Sequence, residues 1–316
     1  MNLQKLKKSN AFSVSIIIIC MVAVMSILKP NYLSADNITA LLKVLAVTSL
    51  VGTSQMISIA SGGMNVSIGS TGAMSVVFAT LLMQNMGMPV PIAILIGLLT
   101  GVACGAVNGL LIYRNGGVGV ASFLTTLATN SVFIGILYTI TTGHGVSRIP
   151  ASFIAIGNSK VGPVPTSIFI MLIILTAVYI MFEYTQLGKQ ILAFGANPKA
   201  AELYGISRFK TLLLVNIIAA VIASIAAMLL VMRVGTAQPD IGFTWMLPSF
   251  AAPLIGGTRQ AGGKVAVFGV VLGAAVLAII ENALVHLGVD VYWTELINGI
   301  VIIVIMALDR LKNLDK

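Results

Sequence analysis

Residues 89–112 read PVPIAILIGLLTGVACGAVNGLLI, with no charged side chain among them. A helix of about 20 apolar residues is long enough to cross the roughly 30 Å of hydrocarbon in a bilayer. Pro89 and Pro91 suit the first helical turn, where no intrahelical N–H is needed. Comparable runs recur on both sides. Toward the N-terminus they cover 66–83, 38–60 (with Lys43 near its outer end) and 11–28. Toward the C-terminus they cover 120–142, 166–182, 211–232, 265–285 and 293–308. A shorter apolar piece, Leu247 to Ile255, contains Pro248 and Pro253. Counting that piece as the eighth, the expectation is about ten transmembrane helices.

The rest of the 316 residues agrees: 58% are apolar and 9% charged, with a mean hydropathy of +1.04. A soluble domain carries about 45–50% apolar and about 25% charged residues, so no water-facing surface can be built from this chain. The fold class is an all-α polytopic membrane protein, organised as a single transmembrane domain over 1–316. Its partner of first resort is the lipid bilayer. The net charge of +9 is spread by topology, not gathered into a nucleic-acid surface. With the N-terminus inside, Lys5, Lys7, Lys8, Arg114, Lys189, Lys199, Arg208, Lys210, Arg310, Lys312 and Lys316 fall on the inner side. Lys29, Arg148 and Lys160 fall outside, Arg233 near that boundary, and Arg259 and Lys264 inside if the eighth segment crosses. That asymmetry places both termini in the cytoplasm and favours an even number of spans. Residues 16–28 lack a small-x-small cleavage pattern before Lys29-Pro30, so they read as a retained first helix.

Catalytic chemistry is missing from the motifs. Gly257 to Lys264 imitates a phosphate loop, but its spacing is wrong and Val265 stands where a magnesium-binding hydroxyl belongs. Gly117-Val-Gly119 begins a dinucleotide fingerprint and then has Ser122 at the third glycine position. Cys20 and Cys104 sit inside apolar runs and read as small buried hydrophobes; His144 and His286 are far apart near outer span ends. No metal, catalytic or cofactor site is expected in this chain. Glu281 is the clearest intramembrane carboxylate, a candidate coupling group by position, with pairing or snorkelling as the alternative.

Two features carry function. The first is an internal echo, Gly62-Gly63-Met-Asn-Val-Ser-Ile-Gly69 against Gly256-Gly257-Thr-Arg-Gln-Ala-Gly262-Gly263, weakly relating two halves. Gly-interrupted segments in corresponding positions point to the discontinuous helices of transporters. In an unwound stretch, residues two apart face the same side, so Asn65 and Ser67 are expected to line a substrate path, with Asn108, Thr125 and Asn130 as its further polar faces. A neutral amide and a hydroxyl exchange hydrogen bonds with a polyhydroxylated solute without holding it tightly. The second feature is the loop 183–210, the one inner segment long enough to fold. Asn197 is placed to cap a short helix with Pro198 in its first turn, and Gly205 to close it in a left-handed conformation. Gly195, Asn197, Ala200, Ala201 and Gly205 thus shape a brief surface helix suited to docking into a partner's groove.

That loop's pattern, Gly188-x4-Ala193-x-Gly195-x-Asn197-x2-Ala200-Ala201-x3-Gly205-Ile206, resembles the coupling loop in the permease subunits of bacterial ribose-type sugar ABC importers. Gly62-Gly63-Met64-Asn65-Val66-Ser67-Ile68-Gly69-Ser70 is similar to that family's Gly-Gly-Ile-Asp-Leu-Ser-Val-Gly-Ser. Thr125-Thr126-Leu127-Ala128-Thr129 with Thr142-Gly143, and Ile255-Gly256-Gly257-Thr258 with Gly262-Gly263, fit in the same order. Asn65 departs from the family's aspartate, Phe250 to Leu254 from its Ile-Ala-Ala-Val-Val-like run, and Arg259 from a small neutral stretch. The resemblance implies a type II importer-like permease in the bacterial cytoplasmic (inner) membrane. It further implies two cytoplasmic ATPase subunits that bind ATP-Mg, an extracytoplasmic solute-binding protein, and a second permease copy or paralogue. The same resemblance assigns coupling to the ATPase to Gly195, Asn197, Ala200, Ala201 and Gly205. A stand-alone secondary carrier would instead need its own ion site at mid-membrane. An intramembrane enzyme would need paired catalytic groups in the spans.

Overall fold

The computed structural model describes residues 10–289 and scattered positions between 293 and 303. The N-terminal lysines, most of the last expected span and the cations from Arg310 onward lie outside the described residues.

Among the described residues, helices α1 (Asn10–Leu28), α2 (Ala35–Ala60), α3 (Ile68–Met86), α4 (Val90–Arg114) and α5 (Val120–Thr141) follow one another through short connections. A short helix α6 (Ala151–Asn158) and a small hairpin, β1 (Lys160–Val161) with β2 (Val164–Pro165), lead into α7 (Thr166–Tyr184). Next come α8 (Gln186–Ala196), α9 (Pro198–Leu203), the long α10 (Arg208–Val234), a 3-10 turn at Phe243–Trp245, the short α11 (Met246–Ile255) and α12 (Val267–Leu287). The apolar runs become these helices with ends displaced by a few residues. Ser34 caps α2 by accepting from Asn37 N at 3.4 Å, and Ser207 caps α10 from Lys210 N at 3.4 Å, each satisfying an orphan amide.

Among the described residues, six helices, α2, α4, α5, α7, α10 and α12, are long and apolar enough to cross a membrane. Helix α3 is interior: Ser70, Thr71, Ser75 and Thr80 are buried in it. Ser75 donates to the Gly97 carbonyl at 2.7 Å and Thr80 to that of Val76 at 2.9 Å, while the Thr71 hydroxyl has no partner among the described residues. A helix surrounded by protein does not need the continuous apolarity that lipid demands.

Helix α10 is the axis of the bundle, packed against α2, α3 and α4. Its tightest partner is α4, which presents Gly97, Gly101, Gly105 and Gly109, all buried, one helical turn apart. A methyl on Gly105 would come within 2.6 Å of the Asn216 carbonyl and 2.7 Å of Ala220 Cβ; on Gly109, within 2.8 Å of Leu213 Cα. Small residues at such spacing let membrane helices approach backbone to backbone, where dispersion and not the hydrophobic effect holds them.

The loops sort into two ends. At one, the backbones of Val146 and Ala237 pair through bonds of 2.8 and 2.9 Å, and Arg148 N donates to Gln84 Oε1 at 3.1 Å. There Asn37 and Asn282 exchange side-chain hydrogen bonds of 2.8 and 3.2 Å, tying α2 to α12. At the other end, Gly119 N donates to the Gly62 carbonyl and Gly263 N to that of Ala60, both at 3.1 Å. The α6 helix, the hairpin and the α8 helix have no counterpart in the apolar-run reading, because elements this short carry no span-length signal.

Candidate functional site

The stretch after α2 leaves helical geometry at Gly62, whose φ of +79° an L side chain rarely adopts. Non-helical backbone there exposes amides that α5 satisfies. Met64 N donates to Ser122 Oγ at 2.9 Å, and Val66 N to Thr126 Oγ1 at 3.0 Å. Gln55, its amide oriented by its neighbours, brackets the Asn65 peptide, donating to its carbonyl at 2.9 Å and accepting from its N–H at 3.3 Å.

From Asn65 a polar thread runs through the bundle. Asn65 Oδ1 accepts from Ser67 N at 2.9 Å and Ser67 Oγ at 2.8 Å, the local turn that Asn and Asp side chains favour. Ser67 Oγ in turn accepts from Asn108 Nδ2 at 2.8 Å, and Asn108 Oδ1 accepts from Thr129 Oγ1 at 2.6 Å. All four residues are buried. Three of the expected path residues, Asn65, Ser67 and Asn108, are thus brought together, bonded to one another. Thr125 is elsewhere: it accepts from Asn115 Nδ2 at 3.2 Å, tying α5 to the connection after α4.

Asn130 lines a cavity of about 250 Å³ between α3, α5 and the segment from Pro239 to Leu247. Val66 and Ser70, neighbours of the polar thread, form part of its wall, and Asp240, Phe243 and Thr244 face them. This segment runs deep. The Gly242 backbone lies directly on that of Gly69, and a methyl on Gly72 would come within 3.2 Å of the Trp245 ring and 2.9 Å of the Ala223 carbonyl, halfway along α10. Among the described residues, no hydrogen bond or ion pair is made by the Asn130 amide, the Asp240 carboxylate or the Thr244 hydroxyl. Asp240 is the site residue that span reading misses. Its one signal is an acid in the turn-like Gln238-Pro239-Asp240-Ile241-Gly242 ahead of an unusually short apolar segment.

At the end of the bundle away from the Val146–Ala237 pair, the two glycine-rich segments and the 183–210 loop converge. A Cβ on Gly195 would overlap the Ala60 carbonyl, and one on Gly262 would come within 2.8 Å of Gly62 N and 2.9 Å of the Gly195 carbonyl. Asn197 Oδ1 caps α9 by accepting from Ala200 N at 3.1 Å, with Pro198 at the first position. Gly205 follows with φ +82°. Ala200 is half-buried, and Ala201 turns inward onto Ile112, Phe194 and Leu212. Leu203 and Tyr204 stand out into solvent at 89% exposure each, an apolar tip that small-residue spacing does not disclose.

A cavity beside interrupted helices and a docked pair of short helices at one end are the features a membrane transport path needs, and no group of three or more His, Cys, Asp or Glu that could hold a metal lies among the described residues. Residues 37–306 match the family described as branched-chain amino acid transport system, permease component; the chain belongs to that family. It is similar to the D-allose transport system permease of Escherichia coli, 32% identical over 93% of this chain and 90% of that one. It also resembles the galactose/methyl galactoside import permease of Escherichia coli (30%, over 94% and 93%) and the ribose import permease of Haemophilus influenzae (29%, over 93% and 91%). No solved structure matches the chain. As a permease component it is not itself an enzyme.

Proposed function

We propose that this chain is the membrane-spanning subunit of an ATP-driven, binding-protein-dependent importer, forming the path for a small polar solute, most simply a ribose-like sugar. The reading rests on one observation above others: relatives named as allose, galactose and ribose permeases align over nine-tenths of the chain. Sites follow from it. The path is assigned to Asn65, Ser67, Asn108, Thr125 and Asn130. Asn130 faces the solute-sized cavity, and the buried thread forms the wall that must part as the bundle rocks. The partners are two cytoplasmic ATPase subunits carrying ATP-Mg, an extracytoplasmic binding protein and a second permease copy or paralogue. The chain itself binds no cofactor.

In this reading the bundle has about ten spans in a type II arrangement within the bacterial cytoplasmic membrane. Both termini are cytoplasmic, and residues 183–210 form a coupling loop within a single permease domain, 1–316. Gly195, Asn197, Ala200, Ala201 and Gly205 shape that loop, and Leu203 with Tyr204 offer the ATPase an apolar contact. Glu281, which interacts electrostatically with Arg233, is read as a structural group in preference to a carrier's coupling group. The test is ATP hydrolysis by the co-assembled ATPase. Wild-type chain should confer stimulation by the solute-loaded binding protein, and Leu203→Ala with Tyr204→Ala should reduce it at least fivefold while the permease still inserts. Full stimulation by that double variant would remove α9 from the coupling.

A further inference from the structure

The Asp240 carboxylate, the Asn130 amide and the Thr244 hydroxyl surround one cavity of about 250 Å³, and none of them has a partner among the described residues. Asp240 and Thr244 are exposed and Asn130 is half-buried, so all three polar groups stay open on the cavity side to whatever fills it. The backbone that carries two of them, 235–245, is largely non-helical. It sits against Gly69 and Gly72, beside the middle of α10. Non-helical backbone at that depth persists only where protein buries it or where it lines a wet cavity. The neighbouring Ser70 hydroxyl on the wall has its donor engaged, Oγ donating to the Ser67 carbonyl at 3.1 Å. The unpaired groups are therefore those free to meet a solute.

Their chemistry selects one. A carboxylate accepts two O–H bonds at once, a charge-assisted arrangement that adjacent hydroxyls on one carbon skeleton can complete. An amide supplies a donor and an acceptor beside it, and the exposed Phe243 ring offers a flat apolar face to C–H groups. An anionic solute would be repelled by the same carboxylate. Resting on the importer reading above, we propose that this cavity is a transit site for a neutral polyol, in which Asp240 reads a vicinal pair of hydroxyls and sets solute specificity within the permease.

The experiment uses the complete importer in vesicles, loaded in turn with D-ribose, D-galactose and D-allose and with the 2-deoxy analogue of each. One binding protein serves wild type and variants, so a changed sugar-to-deoxy ratio belongs to the permease. Asp240→Ala should lower ATP-dependent uptake of the parent sugar about tenfold, the loss expected for hydrogen bonds to a charged group. It should bring the sugar-to-deoxy ratio toward one, while binding-protein-stimulated ATP hydrolysis stays at the wild-type level. Asp240→Asn, which keeps one acceptor, should lose about threefold. Unchanged uptake and ratio in Asp240→Ala would overturn the assignment. So would an equal loss for sugar and deoxy analogue accompanied by lost ATPase stimulation, the mark of a structural role. Wild-type vesicles that take up none of the three sugars would overturn the importer-of-sugars reading, and the assignment with it, before any variant is compared.

Discussion

Asn65 shows how much a single side chain decides. Its Oδ1 accepts from both the backbone and the hydroxyl of Ser67, while α3 begins just beyond at Ile68. Only the acceptor oxygen is used, so a carboxylate would serve as well and would gain from the positive end of the α3 dipole. The departure from the aspartate of the resembling family is therefore conservative in geometry. Asn65→Asp is expected to leave the thermal unfolding temperature of the detergent-solubilised protein nearly unchanged. Asn65→Leu leaves two buried donors of Ser67 unpaired and should cost about 1–3 kcal/mol for each unpaired donor, read as a clear fall in that temperature. A fall in the aspartate variant equal to that of the leucine variant would mean that Nδ2, not Oδ1, matters. The two-residue spacing that singled out Asn65 and Ser67 was legible because it follows from unwound backbone. Their bonding to Asn108 and Thr129 was not, since it depends on which faces of α4 and α5 meet. Asp240 escaped notice for the same reason: nothing local tells that a loop acid comes to line a cavity beside α3 and α5.

At the scale of elements, helix identity is written in apolar length, and helix contact in where the small residues fall. Gly105 and Gly135 both lie inside spanning helices and look alike as letters. A Cβ on Gly105 meets the Asn216 carbonyl at 2.6 Å, whereas one on Gly135 meets nothing within 4 Å. Gly105→Val should separate α4 from α10 and destabilise the protein by about 1–3 kcal/mol, the usual cost of overpacking. Gly135→Ala should be neutral or stabilising by up to about 1 kcal/mol through helix propensity. Thermal unfolding of the two purified variants reads the difference, and equal behaviour would deny the close α4–α10 packing. The α9 helix was legible from Asn197, Pro198 and Gly205, whose capping roles are local chemistry. The inward turn of Ala201 and outward display of Leu203 and Tyr204 were not, because they require Phe194 and Leu212 from other elements. Helix α8 and the α6–hairpin connection fall below the length at which apolar patterning speaks.

Over the whole molecule, the interior is organised for movement without chemistry. The glycine segments from the two halves meet beneath the cavity, where Gly263 N donates to the Ala60 carbonyl and Gly195 presses on the same group. A shift of the α8–α9 pair would therefore be felt directly at the end of α2 and at the unwound 61–67 stretch. The central claim is that this path is driven only by a partner's ATP. Radiolabelled D-ribose, D-galactose and D-allose uptake into sealed vesicles measures it directly, comparing the chain alone, under imposed proton or sodium gradients, with the chain assembled with its ATPase and binding protein. The account predicts concentrative uptake of at least one sugar only in the complete assembly and only with ATP. Concentrative uptake by the chain alone, driven by either ion gradient, would contradict it.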